Sequence, residues 1–316
     1  MVDVVDAEAD ISGAGRFGSR LFQLKCCLAR GDRTGQPLDH LKLASARLRP
    51  PFTTMPELAE VAYYTRRWDA ALHKRILRVH VHPQSRVFRG GPARTLAKAL
   101  TGTDYLLPLT HGKNMLYQFS GSVWLSGHLG MTGELLCEPP HYAPQKHDHL
   151  VLFTADCALV YRDPRMFGNW RMERGAEPPA WWRALPPEIM AREFTAAHVA
   201  AILQRRARTP LKSLLLDQAH FPGIGNWMAD EALWQLRLHP AIPSGTAGAL
   251  TLRRTLQTIT RAALRTIGRD WSDPPRTWLF AHRWKAGGHC PRCHSGLTRA
   301  DLRGRTACWC PACQPD

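Results

Sequence analysis

The chain has 316 residues, which is enough for two domains and a small terminal module, and 44% of its residues are hydrophobic. No apolar run approaches the length of a membrane-spanning helix, so none is expected. Lysine and arginine outnumber aspartate and glutamate by 42 to 26, and the net charge of +16 favours a polyanionic partner, most simply a nucleic acid. A generally arginine-rich composition without such a partner is the alternative.

Residues 1–54 differ in pattern from the rest of the chain. They begin with an acidic stretch, contain several glycines, and show little hydrophobic periodicity and no targeting signal. We expect this segment to be a disordered extension, or an upstream stretch that is not translated, with the first domain beginning at Met55.

Residues 55–186 are predicted to form an N-terminal β-sandwich domain that opens with a helix. Leu58, Val61, Trp68 and Leu72 recur on one helical face. Beyond them, short apolar stretches alternate with turn residues, as is typical of an antiparallel sandwich or barrel. The predicted strands are residues 104–109, 115–119, 123–129, 134–137, 150–153 and 158–161.

Residues 187–279 change to a helical period after a proline-rich stretch. Thr195 is a suitable N-cap for the first helix, and Gly268 is a suitable C′ glycine for the last. The predicted helices are residues 195–206, 210–218, 227–236 and 252–268. Together with the preceding strands, they place the chain in the α+β class.

Two Cys-x-x-Cys pairs lie near the C-terminal end of the sequence, Cys290 with Cys293 and Cys310 with Cys313. Four thiolates at this spacing can surround one structural Zn²⁺ ion, with the intervening residues folded as a short hairpin. A pair of disulfides is the alternative, but nothing resembles a secretory signal, and thiols of the cytosol stay reduced. We therefore predict a zinc finger over residues 280–316.

Three further segments could contact a nucleic acid. The turn Gly223-Ile-Gly-Asn226 lets backbone N–H groups approach a phosphate at a helix N-terminus, although many such turns are plain connections. Met131, Arg165 and Phe167 lie on two glycine-rich turns and could form a wedge that enters a duplex and fills a vacated base position. The alternative for Met131 and Phe167 is the hydrophobic core.

Taken in order, these motifs resemble the formamidopyrimidine-DNA glycosylase and endonuclease VIII family of bifunctional base-excision repair enzymes. The resemblance covers about residues 55–314. The motifs that carry it are Met55-Pro-Glu-Leu-Ala-Glu-Val, His128-Leu-Gly-Met-Thr-Gly, Asp163-Pro-Arg-Met-Phe-Gly, Gly223-Ile-Gly-Asn with Ala229-Asp-Glu-Ala-Leu-Trp, and Gly304-Arg-Thr before Cys310-Pro-Ala-Cys-Gln.

The resemblance implies a role for each candidate residue. Pro56, after removal of Met55, would be the amino-terminal nucleophile that forms a Schiff base with the damaged nucleotide, and Glu57 would be its acid/base partner. The remaining groups fall into three sets. Lys113, Arg305 and Asn226 would hold phosphates; Met131, Arg165 and Phe167 would fill the gap left by the everted nucleotide; His147 and Glu60 match further positions that face the site.

The resemblance also implies a partner, a cofactor and a location. We expect a monomeric enzyme of the bacterial cytoplasm that acts on damaged double-stranded DNA, holds one structural Zn²⁺ and cleaves the abasic strand by β,δ-elimination. Between Gly268 and Cys290 the chain is short for the loop that caps 8-oxoguanine in the formamidopyrimidine branch. Oxidised purines and oxidised pyrimidines therefore both stay open as substrates.

One feature departs from this expectation. Pro56 follows Met55 inside the chain, so its nitrogen belongs to a tertiary amide and has no nucleophilic lone pair. Translation could begin at Met55, proteolysis could expose Pro56, or the protein could bind damaged DNA without lyase chemistry.

Overall fold

The computed structural model of the protein describes residues 55–88 and 93–315. Residues 1–54, predicted to be an extension, lie outside the described residues. Within the described part, two four-stranded antiparallel sheets are followed by a helical region and a two-stranded C-terminal hairpin. The predicted α+β class, with its sandwich, helical region and terminal hairpin, is confirmed.

The elements have the following bounds in the described residues. The strands are β1 (Arg78–Val81), β2 (Tyr105–His111), β3 (Asn114–Phe119), β4 (Val123–His128), β5 (Glu134–Glu138), β6 (Asp148–Phe153), β7 (Ala158–Arg162), β8 (Asn169–Arg174), β9 (Thr298–Asp301) and β10 (Thr306–Trp309). The helices are α1 (Leu58–Arg66), α2 (Ala93–Leu100), α3 (Ala180–Arg183), α4 (Ala196–Arg205), α5 (Leu211–Leu215), α6 (Asn226–Leu236), α7 (Ala249–Arg265) and α8 (Ile267–Asp270).

The two sheets pack face to face around one aromatic core. Their strand orders are β2-β3-β4-β8 and β1-β6-β7-β5. Because successive residues of a strand point to opposite faces, each strand contributes every second side chain to the core. At its centre the rings of Tyr117 and Trp170 stack with centroids 6.0 Å apart, and Trp68 lies 5.0 Å from Tyr117. The Trp68 indole N–H donates to the carbonyl of Leu136 at 3.2 Å, so the polar group of this buried ring has a hydrogen-bond partner.

The helical region is joined to the sandwich by the first helix of the described chain. Helix α1 packs against α7 and α8 and also contacts β2 and β5. The start of the first domain is therefore held against the helices that come more than a hundred residues later. Among the described residues, no helix has both the length and the apolarity that crossing a bilayer requires.

The six predicted strands and the first three helices predicted for residues 187–279 are present, and none of their boundaries differs by more than three residues. Thr195 is the N-cap of α4, as predicted, because its hydroxyl oxygen accepts the backbone N–H of His198 at 3.1 Å. Strands β1 and β8 and helices α2 and α3 were not predicted. The helical face predicted from Leu58 to Leu72 is too long, because α1 ends at Arg66 and Trp68 enters the core from the turn that follows.

The predicted end of the fourth helix at Gly268 is wrong. Helix α7 ends at Arg265, where the backbone of Thr266 leaves the helical region (φ −107°, ψ −93°), and Gly268 lies inside α8. The left-handed residue that terminates α8 is Trp271, with φ 64°. A Cβ atom on Gly268 would lie 3.4 Å from the carbonyl oxygen of Ala59, so glycine here permits close packing of α8 against α1.

We expect Gly127→Ala to destabilise the sandwich. A Cβ atom at this position of β4 would lie 2.8 Å from the Trp170 ring, which is fully buried and has no room to move. Overpacking of this kind costs about 1–3 kcal/mol of unfolding free energy, measurable by urea denaturation. Gly296→Ala is the matched control, because a Cβ atom there meets nothing within 4 Å. Equal stability of the two variants would contradict the packing described.

Candidate active site and metal centre

The carboxylate of Glu57 lies against the N-terminus of α6. Its Oε2 accepts the backbone N–H groups of Gly225 at 2.9 Å and Met228 at 3.2 Å, and its Oε1 accepts that of Trp227 at 2.8 Å. The side chain is 1% exposed. A Cβ atom on Gly225 would lie 2.3 Å from the carboxyl carbon, so only glycine leaves space for Glu57 at this helix end.

Glu60 supports this arrangement from the next turn of α1. Its Oε2 accepts the backbone N–H of Glu57 at 3.2 Å, and its Oε1 accepts the indole N–H of Trp227 at 3.0 Å. Glu57 and Glu60 thus form a capping box at the start of α1, while both also bind the start of α6. Two carboxyl groups are thereby placed side by side, one fully buried and one partly buried.

Lys113 is brought to these carboxyls by a contact between two glycine turns. Gly112, with φ 57°, sits where a Cβ atom would lie 2.7 Å from the backbone nitrogen of Gly223. Its own N–H donates to Glu188 Oε1 at 3.1 Å, which ties the β2–β3 turn to the helical region. Lys113 follows directly and is 9% exposed.

The charges of this cluster act strongly on one another. Burial, together with the neighbouring Glu60, raises the pKa of Glu57 to about 8, although Lys113 and the helix N–H groups oppose the shift. Burial also raises the pKa of Glu60. It lowers the pKa of Lys113, against the attraction of both carboxylates, and the positive charge of Arg305 adds to that lowering. The predicted residues Glu57, Lys113 and Arg305 therefore share one electrostatic environment.

A cleft of about 370 Å³ opens beside Lys113, between the sandwich and the helical region. His128 lines it, and its Nδ1 accepts the backbone N–H of Gly130 at 3.0 Å. Burial and the charge of Lys113 lower the pKa of His128. The ring is therefore neutral, and its Nε2–H is free to donate to an anion in the cleft. No role was predicted for this histidine, although it begins the motif His128-Leu-Gly-Met-Thr-Gly.

The turn before α6 is held in shape by Gln218, which also lines the cleft. Its amide oxygen accepts the N–H of Gly223 at 2.9 Å, and its amide nitrogen donates to the carbonyl of Ile224 at 2.8 Å. Asn226, a predicted phosphate contact, is the first residue of α6 and half-buried. Its side-chain oxygen has no hydrogen-bond partner among the described residues.

The two wedge loops contact each other through buried Asp163. Its Oδ1 accepts the hydroxyl of Thr132 at 2.5 Å, and its Oδ2 accepts the backbone N–H of Gly168 at 2.8 Å. Gly130 lies so close to the second loop that a Cβ atom would be 2.4 Å from the carbonyl carbon of Phe167. Asp163 and these glycines therefore set the spacing of the loops that carry Met131, Arg165 and Phe167.

None of the three predicted wedge residues belongs to the buried core. Phe167 is 52% exposed, Arg165 is exposed with its guanidinium carbon 4.5 Å from the Phe167 ring centroid, and Met131 is half-buried. His147 is half-buried beside them, since its carbonyl accepts the N–H of Asp163 at 3.0 Å. Pro56, also half-buried, directly precedes Glu57.

The four predicted metal ligands come together at the C-terminus. Their sulfur atoms all lie within 4.8 Å of one another, and Cys293 Sγ lies 3.5 Å from that of Cys310 and 3.4 Å from that of Cys313. Thiolates at about 2.3 Å from a tetrahedral ion are separated by about 3.8 Å, so the cluster fits a bound metal. The indole N–H of Trp234 donates to Cys290 Sγ at 3.3 Å, which anchors the cluster to α6.

Arg305 lies at the tip of the hairpin formed by β9 and β10. Arg303 (φ 53°) and Gly304 (φ 77°) form the tight turn, and the backbones of Leu302 and Arg305 exchange hydrogen bonds of 2.8 and 3.3 Å. The side chain of Arg305 is exposed. The hairpin therefore presents this guanidinium towards Lys113, whose pKa it perturbs.

Comparison with known proteins agrees with this geometry. A family model for the formamidopyrimidine-DNA glycosylase N-terminal domain matches residues 55–170, and one for the H2TH domain of the same enzymes matches residues 185–271. The formamidopyrimidine-DNA glycosylase of Acidothermus cellulolyticus is 34% identical over 280 residues, which span 83% of this chain and 98% of that protein. The chain belongs to the formamidopyrimidine-DNA glycosylase family, whose members are base-excision repair DNA glycosylases.

Further relatives extend this similarity. The Methylococcus capsulatus glycosylase is 33% identical over 277 residues, covering 82% of this chain and 100% of its own length. Lactococcus lactis formamidopyrimidine-DNA glycosylase bound to DNA with an abasic site superposes with a TM-score of 0.73 at 25% identity, and covers 82% of this chain and 100% of that one. The same enzyme with DNA that contains Fapy-dG gives a TM-score of 0.74 at 26% identity and the same coverage.

We expect Cys293→Ser to abolish metal binding and Cys308→Ser to leave it intact. Cys293 is exposed, so its replacement removes a ligand without disturbing the core, whereas the thiol of Cys308 is buried and lies outside the group of four. Elemental analysis of the purified variants would measure the bound metal. Loss of metal from both variants, or from neither, would contradict the ligand set.

Proposed function

We propose that this protein is a bifunctional DNA glycosylase that removes oxidised bases of the formamidopyrimidine and 8-oxoguanine type from duplex DNA and cleaves the resulting abasic strand. The observation that carries the proposal is the cluster of Glu57, Glu60, Lys113 and Arg305 beside residue 56. Glu57 and Glu60 bind the N-terminus of α6, and Lys113 and Arg305 come from two distant parts of the chain. The charges of both carboxyls and of Arg305 act on the ionisation of Lys113. Membership of the family supports the same activity.

In the proposed reaction the free secondary amine of Pro56 attacks C1′ of the damaged nucleotide. Its lone pair forms the new C–N bond as the base leaves with the electrons of the glycosidic bond, and the base takes up the proton that the amine gives up. Glu57, protonated at neutral pH, donates a proton to the ring oxygen, so that the C1′–O4′ bond breaks and the nitrogen lone pair forms an iminium. The iminium makes the C2′ proton acidic, and loss of this proton and then of the C4′ proton expels the 3′ and 5′ phosphates in turn.

The remaining residues position the DNA. Lys113 and the neutral donor His128 line the cleft. With Arg305 and Asn226, they suit the phosphates that flank the lesion. The exposed Arg165 and Phe167, with Met131, fill the space of the everted nucleotide, which offsets part of the few kcal/mol that eversion costs. The four cysteines hold one structural Zn²⁺, the usual ion of tetrahedral thiolate sites.

The amide bond between Met55 and Pro56 limits this proposal to a chain that begins at residue 56. A retained extension over residues 1–54 leaves the nitrogen without a lone pair and favours the second candidate, a protein that binds damaged DNA without cleaving it. Specificity for oxidised pyrimidines is the other alternative. The Lactococcus lactis relative, for example, has also been solved with DNA containing an oxidised pyrimidine.

We expect protein expressed from Met55 to be trapped on abasic duplex DNA by borohydride, which reduces an iminium to a stable amine. Methionine removal exposes the Pro56 amine in this protein, whereas the 316-residue chain keeps it in an amide. Gel electrophoresis with intact-mass analysis measures the adduct. Pro56→Gly, made in the Met55-start chain, is the matched control and should form less adduct at similar DNA affinity. If the 316-residue chain, with its extension intact, is trapped equally well, Pro56 is not the nucleophile.

Base excision should slow as pH rises through about 8. The raised pKa of Glu57 means that its carboxyl is protonated, and able to donate, below that pH and is ionised above it. Single-turnover rates between pH 6 and 10 would show the decline, and Glu57→Gln should be slow and lack it. A falling limb that persists in Glu57→Gln would assign that ionisation to another group.

A further inference from the structure

Asp230 lies in the middle of α6, fully buried between two cations. Its Oδ1 lies 2.6 Å from the Lys212 Nζ, and its Oδ2 lies 2.5 Å from a terminal nitrogen of Arg283. The side chains of Asp230, Lys212 and Arg283 are 0%, 1% and 4% exposed. None of the three lines the cleft, and the proposed reaction has no direct use for them.

Two members of this buried ion cluster reach the returning strand of the terminal hairpin. The backbone N–H of Cys308 donates to Asp230 Oδ2 at 3.1 Å, and Lys212 Nζ donates to the carbonyl of Thr306 at 2.7 Å. Strand β10 is therefore held at two alternate residues by charged side chains of α5 and α6. Hydrogen bonds to charged groups are stronger than those between neutral ones, so this attachment is firm.

Arg305 directly precedes the first of these anchored residues. Among the described residues, the hydrogen bonds of the turn before it stay inside the hairpin. They are those of the Leu302–Arg305 pair and one from the Gly304 N–H to Asp301 Oδ1 at 2.8 Å. The nearest metal ligand, Cys310, follows the far end of β10. Among the described contacts made from outside the hairpin, the attachment of Thr306 and Cys308 is thus the nearest one that can set where the Arg305 guanidinium lies.

Buried ion pairs are poor evidence for stability, because desolvation of the charges cancels much of their attraction. A positional role accounts for the cluster better. We propose that Asp230, with Lys212, is a positioning residue for Arg305, fixing β10 so that the guanidinium faces the phosphate next to the lesion. This inference rests on the proposed function for the phosphate contact, but the attachment of β10 can be tested without it.

The test is a double-mutant cycle with Asp230→Asn and Arg305→Ala in the Met55-start protein loaded with zinc. Each single variant should slow single-turnover cleavage of abasic duplex DNA about tenfold or more, the worth of one charged hydrogen bond. The double variant should be no slower than the slower single variant, because Asp230 acts through Arg305. If the folded double variant instead shows a rate loss equal to the product of the two single losses, the proposal is overturned.

Asp270→Asn is the matched control, since it removes an exposed carboxylate paired with Arg269 on the surface of α8. It should cleave at the wild-type rate. Should Asp230→Asn fail to fold, the triple replacement Lys212→Met, Asp230→Leu and Arg283→Met removes all three charges together and is expected to fold. Adding Arg305→Ala to this triple variant should not slow cleavage further. A further loss of rate would overturn the proposal.

Amide hydrogen exchange separates failure of this inference from failure of the proposed function. Asp230→Asn should speed exchange of the Cys308 N–H while exchange within the sandwich stays unchanged. Unchanged protection of that N–H would overturn the attachment itself. If Arg305→Ala cleaves normally, its phosphate contact in the proposed function is wrong, and the positioning role falls with it even when the exchange result shows that Asp230 anchors β10.

Discussion

The structure depends on one interaction between distant residues: the carboxylate of Glu57 accepts three backbone N–H groups at the start of α6, those of the N-cap Gly225, Trp227 and Met228. A helix N-terminus carries unsatisfied donors and partial positive charge, so an acidic group is a natural partner. Here that group comes from the residue next to Pro56, more than 160 positions earlier. The same contact therefore satisfies the helix and joins the start of the sandwich domain to the helical region.

The rest of the site is arranged around this contact by backbone packing. Glycines at 112, 223 and 225 let three segments approach until their backbones touch, and no larger residue fits at 112 or 225. Lys113 is consequently forced into a space that already holds two carboxyl groups. The resulting balance of burial against charge raises the pKa of Glu57 to about 8 and lowers that of Lys113, and such shifts are typical of groups that take part in acid/base chemistry.

Much of the fold and the set of four clustered cysteines could be predicted from the sequence. Apolar stretches and turn residues alternate clearly in the first domain, and the cysteines have a distinctive spacing. Strand β8 was missed although Trp170 and exposed Asn169 alternate there, since a glycine and a turn motif adjoin it. The exposure of Phe167 excludes the core for this residue, which pattern alone could not do, and its wedge role stays a prediction. Asp230 was unpredictable for a different reason. A carboxylate in a helix is normally taken as solvent-facing, and its partners come from separate segments.

The cluster combines residues 57 and 60 with residue 113 and with Arg305, eleven residues from the end of the 316-residue chain. The cluster is therefore complete only when the first helix, the sandwich and the terminal hairpin are folded together. Local unfolding of the hairpin would remove the charge of Arg305 and let the pKa of Lys113 rise towards its ordinary value.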